Sequence, residues 1–235
     1  MRELSLFTGA GGGLLGTHLL GWTPCGYVEW DEYCQRIIAA RIADGYLPIA
    51  PIFTDVREFV KSGAADQYRG IADVVTAGFP CQPFSSAGKM LGEKDPKNMW
   101  PATREAICKV QPKSVFLENV QRIVSIGYIG RVLCDLAELG YVGRWGIFTA
   151  KSEGAPHERK RIWICAHSDS SQLEGSSLSS RIQEEYSNVG SSRWWSAEPP
   201  MDRMANGMAH RVDRLKAIGN GQVPAVAKTA WRILS

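Results

Sequence analysis

The sequence predicts a doubly wound, mostly parallel α/β sheet, and three observations carry that prediction. Five short apolar runs of strand length alternate with segments of helical spacing. The first run passes straight into a glycine-rich turn that opens a helix. Residues able to do chemistry recur just past the carboxyl ends of the runs, the rim where such sheets bind ligands.

With 235 residues, 44% hydrophobic and 22% charged, the chain can bury one full core. A formal net charge of +3 and a pI near 8.5 allow a polyanionic partner without announcing one. The opening MRELSLFTG lacks the basic, apolar and small-residue succession of a secretory signal, and no long uninterrupted apolar stretch follows. A cytoplasmic protein without membrane association is expected. The six cysteines (Cys25, Cys34, Cys81, Cys108, Cys134, Cys165) form no CxxC pair and meet no histidine cluster, so neither a disulfide framework nor a metal site is expected.

Glu3 to Phe7 reads as the first strand, running into Thr8-Gly-Ala-Gly-Gly-Gly13 and a helix from Leu14 to Leu20. Glycines at such a turn let a ligand approach the backbone, although they also serve as tight connections. The second strand, Gly26 to Trp30, ends at Glu29, which lies where an acidic residue can accept from ribose hydroxyls. Trp30 can stack on an aromatic ring, and Asp31 can cap the helix from Glu32 to Ala43. A third strand, Ile49 to Thr54, ends at Asp55 before a short helix from Arg57 to Lys61.

The fourth strand, Val74 to Ala77, leads into the segment GFPCQPFSSAGK, where Pro80 and Pro83 hold Cys81 on a loop that cannot continue as strand or helix. A free cysteine is often a small core residue. Here it falls on the same rim as the glycine turn, Glu29, Asp55 and Glu118. Pro101 opens a helix from Ala102 to Val110, and the fifth strand, Ser114 to Leu117, ends in Glu118-Asn119-Val120. A helix from Gly130 to Leu139 and a strand from Tyr141 to Thr149 follow.

The basic cluster at Arg159-Lys-Arg161 precedes the strand Ile162 to Ala166 and either forms a solvated edge or brings guanidinium groups over the rim. Between Ser168 and Ser192 ten of 25 residues are serine, with little apolar periodicity, so a loop or partly irregular insertion is expected. After IGNGQVP at 218–224, Val226, Ala227, Ala230 and Leu234 are spaced for one buried helix face, expected to cover the sheet beside the first strand.

Six blocks taken in order resemble the motifs of the cytosine-C5 DNA methyltransferases: FTGAGGG, EWD at 29–31, GFPCQPFSSAGK, ENV at 118–120, RKRIWI at 159–164 and IGNGQVP. The resemblance covers nearly the whole chain except about 168–212. It implies a Rossmann-like methyltransferase fold with residues 1–167 and 213–235 as the catalytic domain and 168–212 as a reduced target-recognition segment. It also implies S-adenosylmethionine as cofactor, with S-adenosylhomocysteine as product. The pocket would comprise Phe7, Gly9, Ala10, Gly11, Gly12, Glu29, Trp30, Asp55, Val56, Pro80 and Asn220. Glu29 would hold the ribose, Trp30 would stack on adenine and Asp55 would accept from its amino group.

The implied chemistry follows from cytosine itself. Its C5 is a poor nucleophile until a thiolate adds at C6, which makes Cys81 the nucleophile. Glu118, its pKa raised by burial, would donate to N3, and Arg161 with Arg159 would hold the base and its flanking phosphate. A base stacked in a duplex must be flipped out first. Gln82, Ser85 and Lys89 would then meet DNA on a loop, Phe84 to about Lys97, that either closes over the base or is an ordinary surface loop. Arg193, Trp194, Trp195 and Arg203 would serve target recognition.

Double-stranded DNA is the implied partner and a cognate restriction enzyme a companion, in a bacterium or encoded by a phage. His157 departs from the family, which more often has glutamine there, and the recognition segment is unusually short. Two other readings are an RNA cytosine-C5 methyltransferase and an accessory DNA-binding protein with weak or no catalysis.

Overall fold

A computed structural model describes residues 1–80, 98–168 and 211–235 of the chain. Its elements are β1 (Arg2–Leu6), α1 (Gly12–His18), β2 (Thr23–Val28), α2 (Glu32–Ala43), β3 (Ile52–Phe53), α3 (Val56–Lys61), β4 (Val74–Ala77), α4 (Trp100–Val110), β5 (Ser114–Val120), α5 (Arg122–Ser125), α6 (Tyr128–Glu138), β6 (Val142–Phe148), β7 (Arg161–His167), α7 (Arg211–Asn220) and α8 (Pro224–Leu234). The strands form one sheet in the order β3-β2-β1-β4-β5-β7-β6. β7 runs antiparallel to both of its neighbours, and the other pairings are parallel. The doubly wound, mostly parallel class read from the sequence is the observed one.

Side-chain alternation along the strands sorts the core onto two faces. Leu4, Leu6, Val75, Val115, Leu117, Ile162 and Ile164 pack with Phe59 of α3, Ile107 of α4 and Leu136 of α6. On the other face Val74, Phe116, Trp163 and Cys165 pack with Trp22 and with Val226, Ala227, Ala230 and Ile233 of α8. Buried Glu3 and Ser5 of β1 and half-buried Thr76 of β4 alternate onto this second face, so a polar stripe runs down the centre of the sheet.

Most element boundaries lie within a few residues of expectation, and two strands differ for a physical reason. β3 is two residues long, not six, because Pro48 and Pro51 lack the N–H that a ladder needs and Ile49 points to solvent. β5 continues through Glu118-Asn119-Val120, since β7 pairs with it from Ser114↔His167 to Val120↔Arg161. α8 covers the sheet on the face that carries Val74 of β4, the neighbour of β1, and also packs on α1 and reaches over β6 and β7. Gly16 permits the α1 contact, because a Cβ there would stand 2.7 Å from the Ala227 Cβ and 2.9 Å from the Pro224 carbonyl oxygen.

Candidate active site

At the carboxyl end of β1 the chain turns through Phe7, held at φ 54°, and Gly9, at φ 58°. The Gly9 N–H donates to Glu29 Oε2 at 2.6 Å and the Asp31 N–H to Glu29 Oε1 at 2.7 Å. These two bonds fix the carboxylate, only 8% exposed, across the gap between the first two strand ends. Asp31 caps α2, as expected, by accepting from the Cys34 N–H at 3.2 Å. Trp30 between them is 70% exposed, with the Arg57 guanidinium 5.7 Å from its ring centroid.

Asp55 caps α3 through the Arg57 N–H at 2.8 Å and pairs with the Arg57 side chain at 2.7 Å. The hydrogen bond from the Arg57 side chain holds its carboxyl below the usual range. Asp55, Val56, Ala10, Gly11 and Gly12 do not line the cleft described below. The glycine run has a second purpose that the sequence concealed. A Cβ on Gly12 would stand 2.6 Å from the Gln222 carbonyl oxygen, and one on Gly13 would stand 2.5 Å from its Oε1. The run therefore admits the terminal segment of the chain as well as any ligand.

The other end of the site is built on β5 and β7. Glu118 Oε1 lies 3.0 Å from Arg161 Nε. Burial pushes the Glu118 carboxyl up to about 7, against the opposing pull of Arg161 and Arg159 and of hydrogen bonds from Arg161 and Gln222. Gly78, at the end of β4, leaves room for this group: a Cβ there would stand 2.9 Å from Gln222 Nε2 and 3.2 Å from Glu118 Oε2. Asn119 faces the other way and donates to the Phe79 carbonyl at 3.0 Å, tying β5 to the backbone that enters Pro80.

Arg159 does not stand beside Arg161 as a second free guanidinium. It donates to the Gly219 carbonyl at 2.9 Å and to the Gly221 carbonyl, fastening the terminal segment over the site. Burial, and then Arg161, lower its pKa from the ordinary arginine value.

Between these two ends lies a cleft of about 380 Å³, lined by Phe7, Gly9, Glu29, Trp30, Pro80, Glu118, Arg161 and Asn220 among others. Eight of the residues singled out from sequence thus meet in one place. Gln222 and Gly78 were not singled out, although both stand inside quoted motifs. Cys81, Gln82, Ser85 and Lys89, with the loop to Lys97, lie outside the described residues, as do Arg193, Trp194, Trp195 and Arg203 and nearly all of the recognition segment.

The family model for C-5 cytosine-specific DNA methylase matches residues 1–223. Type II methyltransferase M.NgoBI of Neisseria gonorrhoeae is 34% identical over 172 residues, 72% of this chain and 51% of that protein. Type II methyltransferase M.HaeII of Haemophilus aegyptius is 34% identical over 177 residues, 74% of this chain and 52% of that protein. The chain therefore spans about half the length of these relatives. Among solved structures, the S. pombe Dnmt2 methyltransferase superposes with a TM-score of 0.61 at 17% identity, covering 93% of this chain and 66% of that one. A putative DNA modification methyltransferase encoded within an E. coli prophage superposes at 0.56 and 22% identity, covering 75% and 49%. These two likenesses establish a methyltransferase fold.

Proposed function

The chain belongs to the C-5 cytosine-specific DNA methylase family, and from that premise we propose that it methylates C5 of a flipped-out cytosine in duplex DNA through a covalent bond from Cys81 to C6. The observation that carries the proposal is Glu118: a largely covered carboxyl, its side chain 12% exposed, pushed up to about 7 and paired with Arg161, lining a cleft that also includes Pro80, the residue before Cys81 in the sequence.

The family implies S-adenosylmethionine, and the cleft suits it. Glu29 offers a fixed carboxylate to a ribose diol, Trp30 offers an open ring face to adenine, and Gly9 has open space where a Cβ would stand. Asn220 lines the cleft at the other end, where it would meet the methionine portion. When bound, the cofactor supplies an electrophilic methyl group on a sulfonium and leaves as S-adenosylhomocysteine.

The chain's own residues do the rest. Addition of the Cys81 thiolate to C6 drives electron density towards N3, and Glu118 in its neutral form donates a hydrogen bond there. Arg161 keeps the carboxyl oriented through its 3.0 Å contact and places a positive charge beside the ring. Arg159 acts by holding Gly219 to Gly221, and so Gln222, against Glu118. Loss of the C5 proton then lets the thiolate leave.

Duplex DNA is the proposed partner, with a cognate restriction enzyme suggested by the type II relatives. Bisulfite sequencing of DNA from cells expressing the chain tests the proposal: methylcytosine in a fixed sequence context supports it. Unmodified DNA together with methylated RNA cytosines would replace it with the RNA reading. No modification of either would leave the accessory reading.

A further inference from the structure

Beneath the cleft, on the α1 and α8 face of the sheet, lies a second and smaller chamber of about 50 Å³. A water needs roughly 10–15 Å³ of such volume and several polar partners, so there is room for about three or four. Phe7, Gly9, Gly78, Glu118, Asn220 and Gly221 line both spaces, so Glu118 belongs to the wall that the chamber and the cleft share. At its far side stands Glu3, 1% exposed, with Thr17 and Thr76 within hydrogen-bond reach of its two carboxyl oxygens. Trp163, opposite Glu118 in the β5–β7 ladder and 1% exposed, forms part of the wall, and its Nε1 has no hydrogen-bond partner among the described residues.

We propose that Glu3 is a proton reserve for Glu118, connected to it by water held in this chamber. The inference rests on the methyl-transfer reading, in which Glu118 must be neutral once base and cofactor have covered the cleft. Glu3 and Glu118 are two inter-strand spacings and four residues of register apart, roughly 16 Å between Cα atoms, so they do not touch. Glu3 is 1% exposed, and this burial pushes its carboxyl up to about 7, against the opposing pull of the hydrogen bonds that Thr17 and Thr76 donate to its two oxygens.

When Glu118 is ionised at closure, it takes a proton from the adjacent water, which takes one from the next, and the last takes the carboxyl proton of Glu3. One O–H bond forms at Glu118, one breaks at Glu3, and the waters are unchanged in number. Solvent restores the proton when the cleft opens. The other groups acting on Glu3 are the Met1 amino group, Cys25 and Tyr27. Burial holds Cys25 up near 11 and Tyr27 near 12, so neither titrates between pH 6 and 8. Glu118 faces Arg159, Arg161 and Gln222.

Glu3 is thus a positioning residue acting through Glu118, and its signature is a pH profile. In single-turnover methylation, the ratio of E3Q to wild-type rate should fall about twofold from pH 6 to pH 8, because two carboxyls titrating together hold at least one proton about twice as often as one alone. A ratio constant across that range overturns the proposal and leaves Glu3 a structural group. A second measurement needs neither substrate nor the E3Q protein. In E118Q, an infrared protonated-carboxyl band should persist near neutral pH and vanish by pH 9. Absence of that band at pH 6.5 also overturns the proposal. The infrared result stands even if no nucleic acid is methylated, so failure of the reserve and failure of the methyl-transfer reading remain distinct.

Discussion

The two faces of the sheet are built on opposite principles. Towards α3, α4 and α6 the strands present apolar side chains, and Leu4, Leu6, Val75, Leu117 and Ile164 are all less than 3% exposed. The face under α1 and α8 interrupts its apolar packing with Glu3, Ser5, Thr76 and Glu118. Strands buried on both sides usually read as unbroken apolar runs, so these polar positions give up hydrophobic stabilisation. They lie under the candidate active-site cleft, and the difference marks where apolar packing gives way to polar groups beside it.

Substitutions on the two faces should therefore fail in different ways. The largest effect belongs to the polar face: Glu118→Gln should lower the methylation rate by about 10²–10⁴-fold, measured with radiolabelled cofactor, because an amide N–H is a much weaker acid than a carboxyl O–H and stabilises the charge gathering at N3 less well. On the apolar face, Leu117→Ala should cost about 2–5 kcal/mol in denaturant melts. That loss should be the same at pH 5 and pH 8.

Glu3→Gln should instead change the pH dependence of stability. The folded carboxyl sits near 7, above its ordinary value of 4.5, so its contribution is fully present below about 4.5 and is lost as pH rises through 7. Wild type should lose up to about 3 kcal/mol from this group between pH 5 and pH 8, and E3Q should lack that component in the same melts. The smallest effect is steric. Gly12→Ala should cost about 1–3 kcal/mol with no pH dependence, since its Cβ would press on the Gln222 backbone.

Local signals made most of the fold legible. Strand-length apolar runs and helix stops set the alternation, and the rim rule gathered the glycine turn, Glu29, Asp55, Cys81 and Glu118; of these Gly9, Glu29 and Glu118 line the cleft, Asp55 caps α3 instead, and Cys81 lies outside the described residues. β3 was overestimated because apolar content at Ile49 concealed the missing donors of Pro48 and Pro51. Long-range packing was invisible. Nothing local in FTGAGGG says that two of its glycines yield to Gln222, more than 200 residues away, nor that Arg159 serves Gly219 and Gly221. Glu3 read as an ordinary strand residue because burial of an acid depends on what lies above it, here α1 and Thr76.

The most direct test concerns Cys81 and the site it serves. Duplex DNA carrying 5-fluorocytosine blocks the final loss of the C5 substituent, so a thiolate that has added at C6 cannot leave. The chain should form a covalent complex with such DNA in the presence of S-adenosylmethionine, stable to denaturing electrophoresis and absent in Cys81→Ala. Failure to trap a complex on 5-fluorocytosine DNA of any sequence context, or trapping that persists in Cys81→Ala, would contradict the account.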